Sequence, residues 1–314
     1  MSLPMVLHIP HASLVIPDSY RDSILLNQSD LLAEQYWATD FYCDELFVLE
    51  RCQSIVADYS RFVCDVERFR DDCDEIGAQA GNGLFYTHTL RGIELRKPDS
   101  VLRDKVLAEV YDPHHTRLTE AVDEALERYG QCLIVDCHSF SDDTIPGEIM
   151  PDFCLGTDPT HTPKSILEQI KNCMSSNGYT VRVNYPYSGS IVPMKHYQRD
   201  MRVQSVMIEV NKRLYMQGNS TEKSESFADI QRFCRALLQK LAQGINYEIR
   251  LKLSEDEIGY LLSFLETAEK RWVEIRDEKL PNPGGMPTKS FVSQRRIKAA
   301  REIIRQLCRQ IPER

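Results

Sequence analysis

The chain has 314 residues, of which 42% are hydrophobic and 27% are charged, a composition typical of a folded protein with a substantial core. Its formal net charge of −9 argues against a general nucleic-acid binder. No stretch approaches 18 consecutive apolar residues, so we expect no membrane span, and the first residues lack the pattern of a secretory signal.

Five short apolar runs predict strands, and four longer stretches predict helices. The strands are predicted at 5–9, 54–58, 132–136, 180–184 and 203–210. The helices are predicted at 29–50, 100–128, 163–176 and 226–243. Alternating strands and helices, with continuous apolar strands, predict an α/β fold in which helices cover both faces of a mixed, mostly parallel sheet.

The sequence pattern changes near residue 245, where the charge balance turns from acidic to weakly basic. Ser254 and Glu257 have the N-cap and capping-box spacing of a helix start. A loop at 281–285 and a second helix from about Val292 to Arg309 follow. We therefore predict a catalytic domain over residues 1–245 and a C-terminal α-helical hairpin over residues 246–314.

The ten cysteines are scattered from Cys43 to Cys308 and form no C-x-x-C pair. Several lie inside apolar runs, as Cys132 and Cys137 do. This pattern is typical of buried, reduced thiols rather than of disulfides or a cysteine-bound zinc ion. We therefore expect a cytoplasmic protein.

Metal-competent side chains stand where three of the predicted strands end. His11 follows the first strand, His138 follows the run 132–136, and Glu209 lies near the end of the run 203–210. In open α/β sheets, ligands bind at the carboxyl ends of the strands. Two imidazoles and a carboxylate form the constellation of a mononuclear hydrolytic zinc site. The sequence thus predicts one divalent metal, zinc or another, held partly by His138.

A further ligand and a general base are needed for such a site. Asp40 lies in the predicted helix 29–50 among aromatic residues, where an acid is costly to bury unless it is paired or metal-bound. Glu34 is the fallback. His8 competes with His11, although residues three apart in a strand point to opposite faces. Glu209 has apolar neighbours, so we expect a buried general base with a raised pKa, or else another ligand.

Arginines in the segment 60–68 are candidates for substrate binding. Arg61 and Arg68 could hold a substrate carboxylate, with Asp65 orienting one of them, although an ordinary ion pair explains either arginine. A helix start is predicted at Asp112, which leaves His115 either structural or available to stabilise an oxyanion.

The segment 184–189 reads as a loop after a strand, and we expect it to form a lid over the substrate. His196 lies just beyond this loop, where it could close on the site. Ser139 or Asp136 could orient the ring of His138.

Nine short segments, in this order, resemble the N-formylglutamate amidohydrolase family over about residues 5–243. They are Ile9-Pro10-His11-Ala12-Ser13, Thr39-Asp40-Phe41, Ser60-Arg61-Phe62-Val63-Cys64-Asp65, Pro113-His114-His115, Asp136-Cys137-His138-Ser139, Pro151-Asp152-Phe153-Cys154-Leu155-Gly156-Thr157, Gly189, His196, and Glu209-Val210-Asn211 with Tyr215-Met216.

The resemblance implies an α/β core like that of the zinc carboxypeptidases, with zinc held by His11, an acid and His138, and with Glu209 activating water. The carboxypeptidase pattern places the acidic ligand where this chain has Leu14, so Asp40 is transferred to that role. The implied substrate contacts come from Arg61, Arg68, His115, Ser139, Gly189, His196 and Asn211.

The implied reaction is metal-dependent hydrolysis of the amide bond of a small N-acylated amino acid. N-formyl-L-glutamate, which would release formate and glutamate, is the first choice. A carboxypeptidase or a peptidoglycan-type amidase is the alternative among enzymes. A non-catalytic binding protein on the same fold, with the helical tail as its interaction surface, is the alternative from another class. We expect no nucleic-acid or membrane partner, and the sequence leaves the oligomeric state open.

Overall fold

A computed structural model describes residues 4–218 and 220–244 together with Ser263, Phe264 and Thr267. Its centre is a six-stranded sheet whose spatial order is β2-β1-β3-β6-β4-β5. The strands are β1 (Met5–Ile9), β2 (Gln53–Val56), β3 (Cys132–Phe140), β4 (Phe153–Gly156), β5 (Val181–Val183) and β6 (Val203–Asn211). All neighbouring pairs are parallel except β4 and β6. The prediction of a mixed, mostly parallel sheet is confirmed.

Seven α-helices accompany the sheet in the described residues. They are α1 (Asp18–Arg21), α2 (Gln28–Ala38), α3 (Cys43–Leu46), α4 (Ser100–Val106), α5 (Asp112–Tyr129), α6 (Lys164–Ser176) and α7 (Phe227–Gly244). A π-helical turn, Leu107–Tyr111, joins α4 to α5. Three 3-10 turns are formed by Ile76–Ala80, Asp142–Thr144 and Lys212–Leu214.

The two faces of the sheet pack against different helices. Along β3, Leu133 and Val135 join a core cluster that includes residues of α3, α6 and α7. Ile134 points to the opposite face and packs with residues of α5. Because side chains alternate along a strand, Asp136 and His138 follow Ile134 on the α5 face. The alternation therefore brings the two polar residues of β3 to one side, beyond the apolar contacts with α5.

The predicted helix 29–50 is wrong beyond Ala38. Thr39 is extended, with φ −100° and ψ 134°, and Tyr42 adopts a left-handed backbone with φ 63°. Asp40 consequently lies in a loop between α2 and α3, and the prediction that it lies inside a helix is corrected. β3 extends to Phe140, four residues past its predicted end, and β4 was not predicted.

Helix α5 begins at Asp112, as predicted, but Asp112 is not its N-cap. Asp112 has helical φ and ψ of −61° and −42°, and the backbone passes from α4 through the π turn into α5. Pro113 has no N–H to donate to the preceding turn, and the wider π turn lets the chain continue without that hydrogen bond.

The predicted helical hairpin falls almost wholly outside the described residues, of which Ser263, Phe264 and Thr267 are helical. None of the described helices combines the length and the apolarity needed to cross a bilayer. The nine cysteines in the described part of the chain are free thiols, and six of them are buried, as the sequence predicted.

Candidate active site

Strand register places His138 beside Glu209. The two residues are partners in the parallel pairing of β3 with β6, so their side chains leave the same face of the sheet. Both are buried, with 3% and 5% of their surface exposed. The two residues predicted from separate strand ends therefore stand side by side.

The loop after α2 is tied to the end of β1 by a backbone hydrogen bond from Asp40 N to His11 O, 2.9 Å long. His11 lies just past Pro10, and its ring centroid is 5.1 Å from that of His138. The Oδ2 atom of Asp40 lies 3.1 Å from His138 Nδ1 and 3.6 Å from His11 Nδ1. Ser139 Oγ donates to the other oxygen, Oδ1, at 3.2 Å. The carboxylate of Asp40 thus lies between the Nδ1 atoms of both histidines.

The Nε2 atoms of the two histidines face other carboxylates. His11 Nε2 donates to Asp65 Oδ1 at 2.8 Å, and His138 Nε2 lies 3.1 Å from Asp136 Oδ1. A ligating histidine characteristically donates its second ring nitrogen to a carboxylate, which fixes the tautomer. This arrangement leaves Nδ1 of each ring available as a metal ligand on the side of Asp40.

Glu67 is a second acidic candidate that the sequence analysis missed. Its Oε1 lies 3.0 Å from His138 Nε2, and its Oε2 lies 3.8 Å from His11 Nε2. These two histidines and Glu67 offer donor atoms within 4.8 Å of one another, and His8, Glu67 and Asp136 do the same. Glu67 lies in the segment 60–68, whose arginines we interpreted as substrate-binding. Nothing in its sequence pattern distinguishes Glu67 from a solvated acid.

Glu209 supplies the clearest sign of an unmet interaction. Its Oε2 atom is buried and has no hydrogen-bond partner in the described residues. Burial raises the pKa of Glu209 to about 8; His138 opposes the rise, and the carboxylates of Asp40 and Glu67 add to it. Leaving a buried oxygen without a partner costs about 1–3 kcal/mol. An oxygen of this kind, beside two histidines and an acid, fits a site built for a metal ion and a water molecule.

The pKa shifts of Asp40 and His138 reflect the attraction between carboxylates and imidazole rings in the site. Burial favours the neutral form of Asp40, but hydrogen bonds from His11 and His138 outweigh it and lower the pKa of the carboxyl group. Burial alone would lower the pKa of His138, but the carboxylates of Glu67 and Asp136 raise it well above its ordinary value. The clustered carboxylates therefore favour a positive charge at this point, which a bound cation also supplies.

His8 contacts Asp136, which also holds His138, and does not take the place of His11 beside Asp40. Its Nδ1 lies 2.7 Å from Asp136 Oδ1, and its Nε2 lies 3.0 Å from the Nε2 of His114. Asp136 Oδ2 also accepts a hydrogen bond from Ile191 N at 3.0 Å. Both oxygens of this buried carboxylate are engaged, so Asp136 holds the rings of His8 and His138 in place.

The two candidate arginines bind Asp65. Arg61 donates to Asp65 Oδ2 from Nε at 3.1 Å and from Nη2 at 2.6 Å. Arg68 Nε lies 3.3 Å from the same oxygen, and Tyr86 donates its hydroxyl hydrogen to it at 2.8 Å. The predicted pairing of Asp65 with these arginines is present. Each arginine already has a carboxylate partner within the protein.

Two of the predicted substrate-binding histidines have contacts within the fold. His115 Nε2 donates to Val66 O at 2.8 Å. His196 Nε2 lies 2.8 Å from Asp123 Oδ1 on α5. Neighbouring groups of the fold hold both rings, and their contacts with a substrate remain predictions.

Three further candidates also have structural contacts. Asn211 Nδ2 donates to Pro151 O at 3.1 Å, at the end of β6. Gly189 has a positive φ of 93°, and its carbonyl packs so closely on Gly156 that a Cβ there would meet it at 2.2 Å. Glu34, the fallback ligand, forms an ion pair with Arg91. The predicted roles of Asn211 and Gly189 in substrate binding remain predictions.

Comparison with known proteins identifies a family model and two relatives that match most of this chain. The family model for N-formylglutamate amidohydrolase matches residues 3–216. A deformylase of N-formylglutamate from Pseudomonas putida is 28% identical over 255 residues, which cover 77% of this chain and 92% of the relative. A deformylase of the same name from Pseudomonas aeruginosa is 25% identical over 259 residues, covering 77% and 92%.

Two solved structures share the fold. The N-formylglutamate amidohydrolase of Ralstonia eutropha JMP134 superposes with a TM-score of 0.67 at 23% identity, covering 77% of this chain and 94% of that one. A gene product of Agrobacterium tumefaciens gives a TM-score of 0.53 at 20% identity, covering 77% and 91%. Since the family model spans more than half of the sequence, this chain belongs to the N-formylglutamate amidohydrolase family.

Proposed function

We propose that this protein hydrolyses the formyl amide bond of N-formyl-L-glutamate and releases formate and glutamate. One observation carries the proposal: the Nδ1 atoms of His11 and His138 lie on either side of Asp40, and Glu209 stands beside them with an unpartnered carboxylate oxygen. Two relatives, 28% and 25% identical to this chain, are named N-formylglutamate deformylase.

His11, Asp40 and His138 would hold a divalent metal. Two imidazoles and a carboxylate form a ligand set that suits zinc best. We prefer Asp40 to Glu67 as the acidic ligand because Asp65 and Asp136 occupy the Nε2 sides of the two rings. When bound, the metal supplies Lewis acidity that polarises the formyl carbonyl and lowers the pKa of water.

Glu209 moves the proton. Burial raises its pKa to about 8, which suits a group that takes a proton from the attacking water and then returns it. The water oxygen bonds to the formyl carbon, the C–N bond breaks, and the leaving nitrogen takes the proton from Glu209. The apolar neighbours of β6 keep Glu209 in place and exclude bulk water from it.

Asp65 and Asp136 orient the two histidines. Both carboxylates are fully buried, and each binds a ring nitrogen that the proposed metal does not use. In metal sites, such supporting hydrogen bonds typically contribute 10- to 100-fold in metal affinity or activity.

Elemental analysis and a substrate panel test this function. Protein purified without chelators is expected to carry about one divalent metal per chain, which His138→Ala should lose. N-formyl, N-acetyl and N-succinyl amino acids then identify the acyl group, and unblocked dipeptides test the peptidase alternative. Purified protein that binds no metal and shows no turnover after zinc is added would exclude the proposal.

A non-catalytic role on the same fold is disfavoured by Glu209. A binding protein gains nothing from a buried carboxylate that lacks a hydrogen-bond partner, because that group lowers stability. We further propose that the enzyme acts in the cytoplasm.

A further inference from the structure

Lys212 is a buried cation beside the candidate active site. It is 9% exposed and begins the 3-10 turn Lys212–Leu214 directly after β6. Its ammonium group lies 5.9 Å from the centroid of the Phe41 ring. Among the described residues, no carboxylate comes within ion-pair distance of that ammonium and no acceptor forms a hydrogen bond with it. Most of the side chain is buried, yet its ammonium has no acidic partner in the described part of the chain, so that ammonium is available to an anionic ligand.

The backbone around Lys212 is held firmly. Asn211 Oδ1 accepts a hydrogen bond from Arg213 N at 3.1 Å. The carbonyl oxygen of Lys212 accepts from Tyr215 N at 3.1 Å and from Met216 N at 2.8 Å. The starting point of the lysine side chain is therefore fixed at the end of β6, three residues after Glu209.

The charges that act on Lys212 belong to the active site. Burial lowers the pKa of its ammonium, the carboxylates of Asp40 and Glu209 oppose that change, and the guanidinium of Arg61 adds to it. Asp40 already faces two histidines, and Glu209 is the proposed base. Lys212 therefore lies in the electrostatic field of the reacting groups without being neutralised by either of them.

The arginines that the sequence suggested for carboxylate binding are less available than Lys212. Arg61 forms two hydrogen bonds with Asp65, and Arg68 lies 3.3 Å from Asp65 and 3.6 Å from Glu75. Their charge is largely offset within the protein. Lys212 is therefore the cation that is available to pair with an anionic substrate.

The charge balance of the site favours such a counter-ion. Asp65 is paired with two arginines, and four further acidic side chains lie around the two histidines: Asp40, Glu67, Asp136 and Glu209. They would repel an anionic substrate unless a cation offset them. We propose that Lys212 binds a carboxylate of the substrate, and so restricts the site to N-acyl amino acids that carry that acid group. This inference rests on the proposed function.

The test compares Lys212→Met with Lys212→Arg and with Lys171→Met. Lys171 is a matched control, since it is 39% exposed and pairs with Glu168 at 2.9 Å. The substrates are N-formyl-L-glutamate, its side-chain amide N-formyl-L-glutamine, and its α-amide. We expect Lys212→Met to raise KM for N-formyl-L-glutamate by about 10- to 100-fold, the range of one charged hydrogen bond. Lys212→Arg should restore much of the loss, and kcat should change less than KM.

The two monoamides decide whether Lys212 recognises a carboxylate. For the amide that lacks the recognised acid group, wild type and Lys212→Met should have similar KM values. An equal loss on all three substrates, or no loss on any, overturns the inference while leaving the proposed function intact.

Binding measurements keep the test independent of turnover. Calorimetric Kd values of the same compounds, taken for Glu209→Gln with and without Lys212→Met, should show the same selectivity for one carboxylate. If wild-type protein turns over none of the N-formyl compounds, the proposed function fails. The Kd comparison then still supports or overturns the role of Lys212.

Discussion

His138 and Glu209 are partners in the parallel pairing of β3 with β6, which puts an imidazole beside a buried carboxylate. A one-residue change of register would turn one of these side chains to the other face of the sheet. The apolar residues that alternate with them, Cys137 and Ile208 among others, fix the register by their burial in the core.

Glu209→Gln should lower kcat by about 10²- to 10⁴-fold, because the amide has no basic oxygen for proton transfer. The substitution keeps the side-chain shape, so the metal content and the melting temperature should stay near wild type. Steady-state kinetics with elemental analysis measure both. Glu168→Gln is the matched control at an exposed site, since 58% of that side chain is accessible. A kcat within threefold of wild type for Glu209→Gln would show that another group moves the proton.

Asp40→Asn and Glu67→Gln together identify the acidic ligand. Asp40→Asn should weaken metal binding by more than about 100-fold, since ligands matter more than the supporting residues that contribute 10- to 100-fold. Glu67→Gln should retain the metal. Competition titrations with a chelating dye measure both affinities. The reverse ranking would place the metal on the Nε2 side of the histidines, with Glu67 as its ligand.

Asp65→Asn should destabilise the protein by about 3–5 kcal/mol, the range for breaking a buried ion pair. The carboxylate is fully buried and binds Arg61, Arg68 and His11, so an amide leaves two cations incompletely paired. Urea unfolding measures the loss. Asp71→Asn, on the surface, is the control and should unfold at nearly the same urea concentration as wild type. A similarly small change for Asp65→Asn would mean that solvent reaches this cluster.

Acid sensitivity should depend partly on His115. Burial lowers the pKa of its ring to about 4, and the hydrogen bond to Val66 O opposes that change. The unfolded chain, with an ordinary histidine pKa of about 6.5, binds the proton first as pH falls. Stability contributed by the neutral ring is therefore complete above pH 6.5 and declines from there towards pH 4, by up to about 3 kcal/mol.

His115→Gln removes this titration and should flatten the dependence of the unfolding free energy on pH between 6.5 and 4. Urea melts across that range, compared with wild type, give the slope. Parallel curves for the two proteins would show that the ring is protonated in the folded state as readily as in the unfolded one.

Much of the sheet was predictable because its strands are continuous apolar runs. Val135 and Ile208 lie in such runs, and burial on both faces of a parallel sheet produces that pattern. The boundaries were less predictable where one backbone conformation decides them. The left-handed backbone of Tyr42 and the π turn before Asp112 leave no clear mark in the sequence. The helix around Asp40 was therefore predicted too long, and Asp112 was wrongly predicted to be an N-cap.

By itself, the sequence determined that His11, His138 and Glu209 stand at the carboxyl ends of buried strands, because apolar runs that stop at polar residues are a local pattern. Only the tertiary structure decided their partners. The approach of Glu67 to the histidines and the surroundings of the Lys212 ammonium depend on distances between segments far apart in the chain. Such distances follow from packing and strand register, and residue type alone does not encode them.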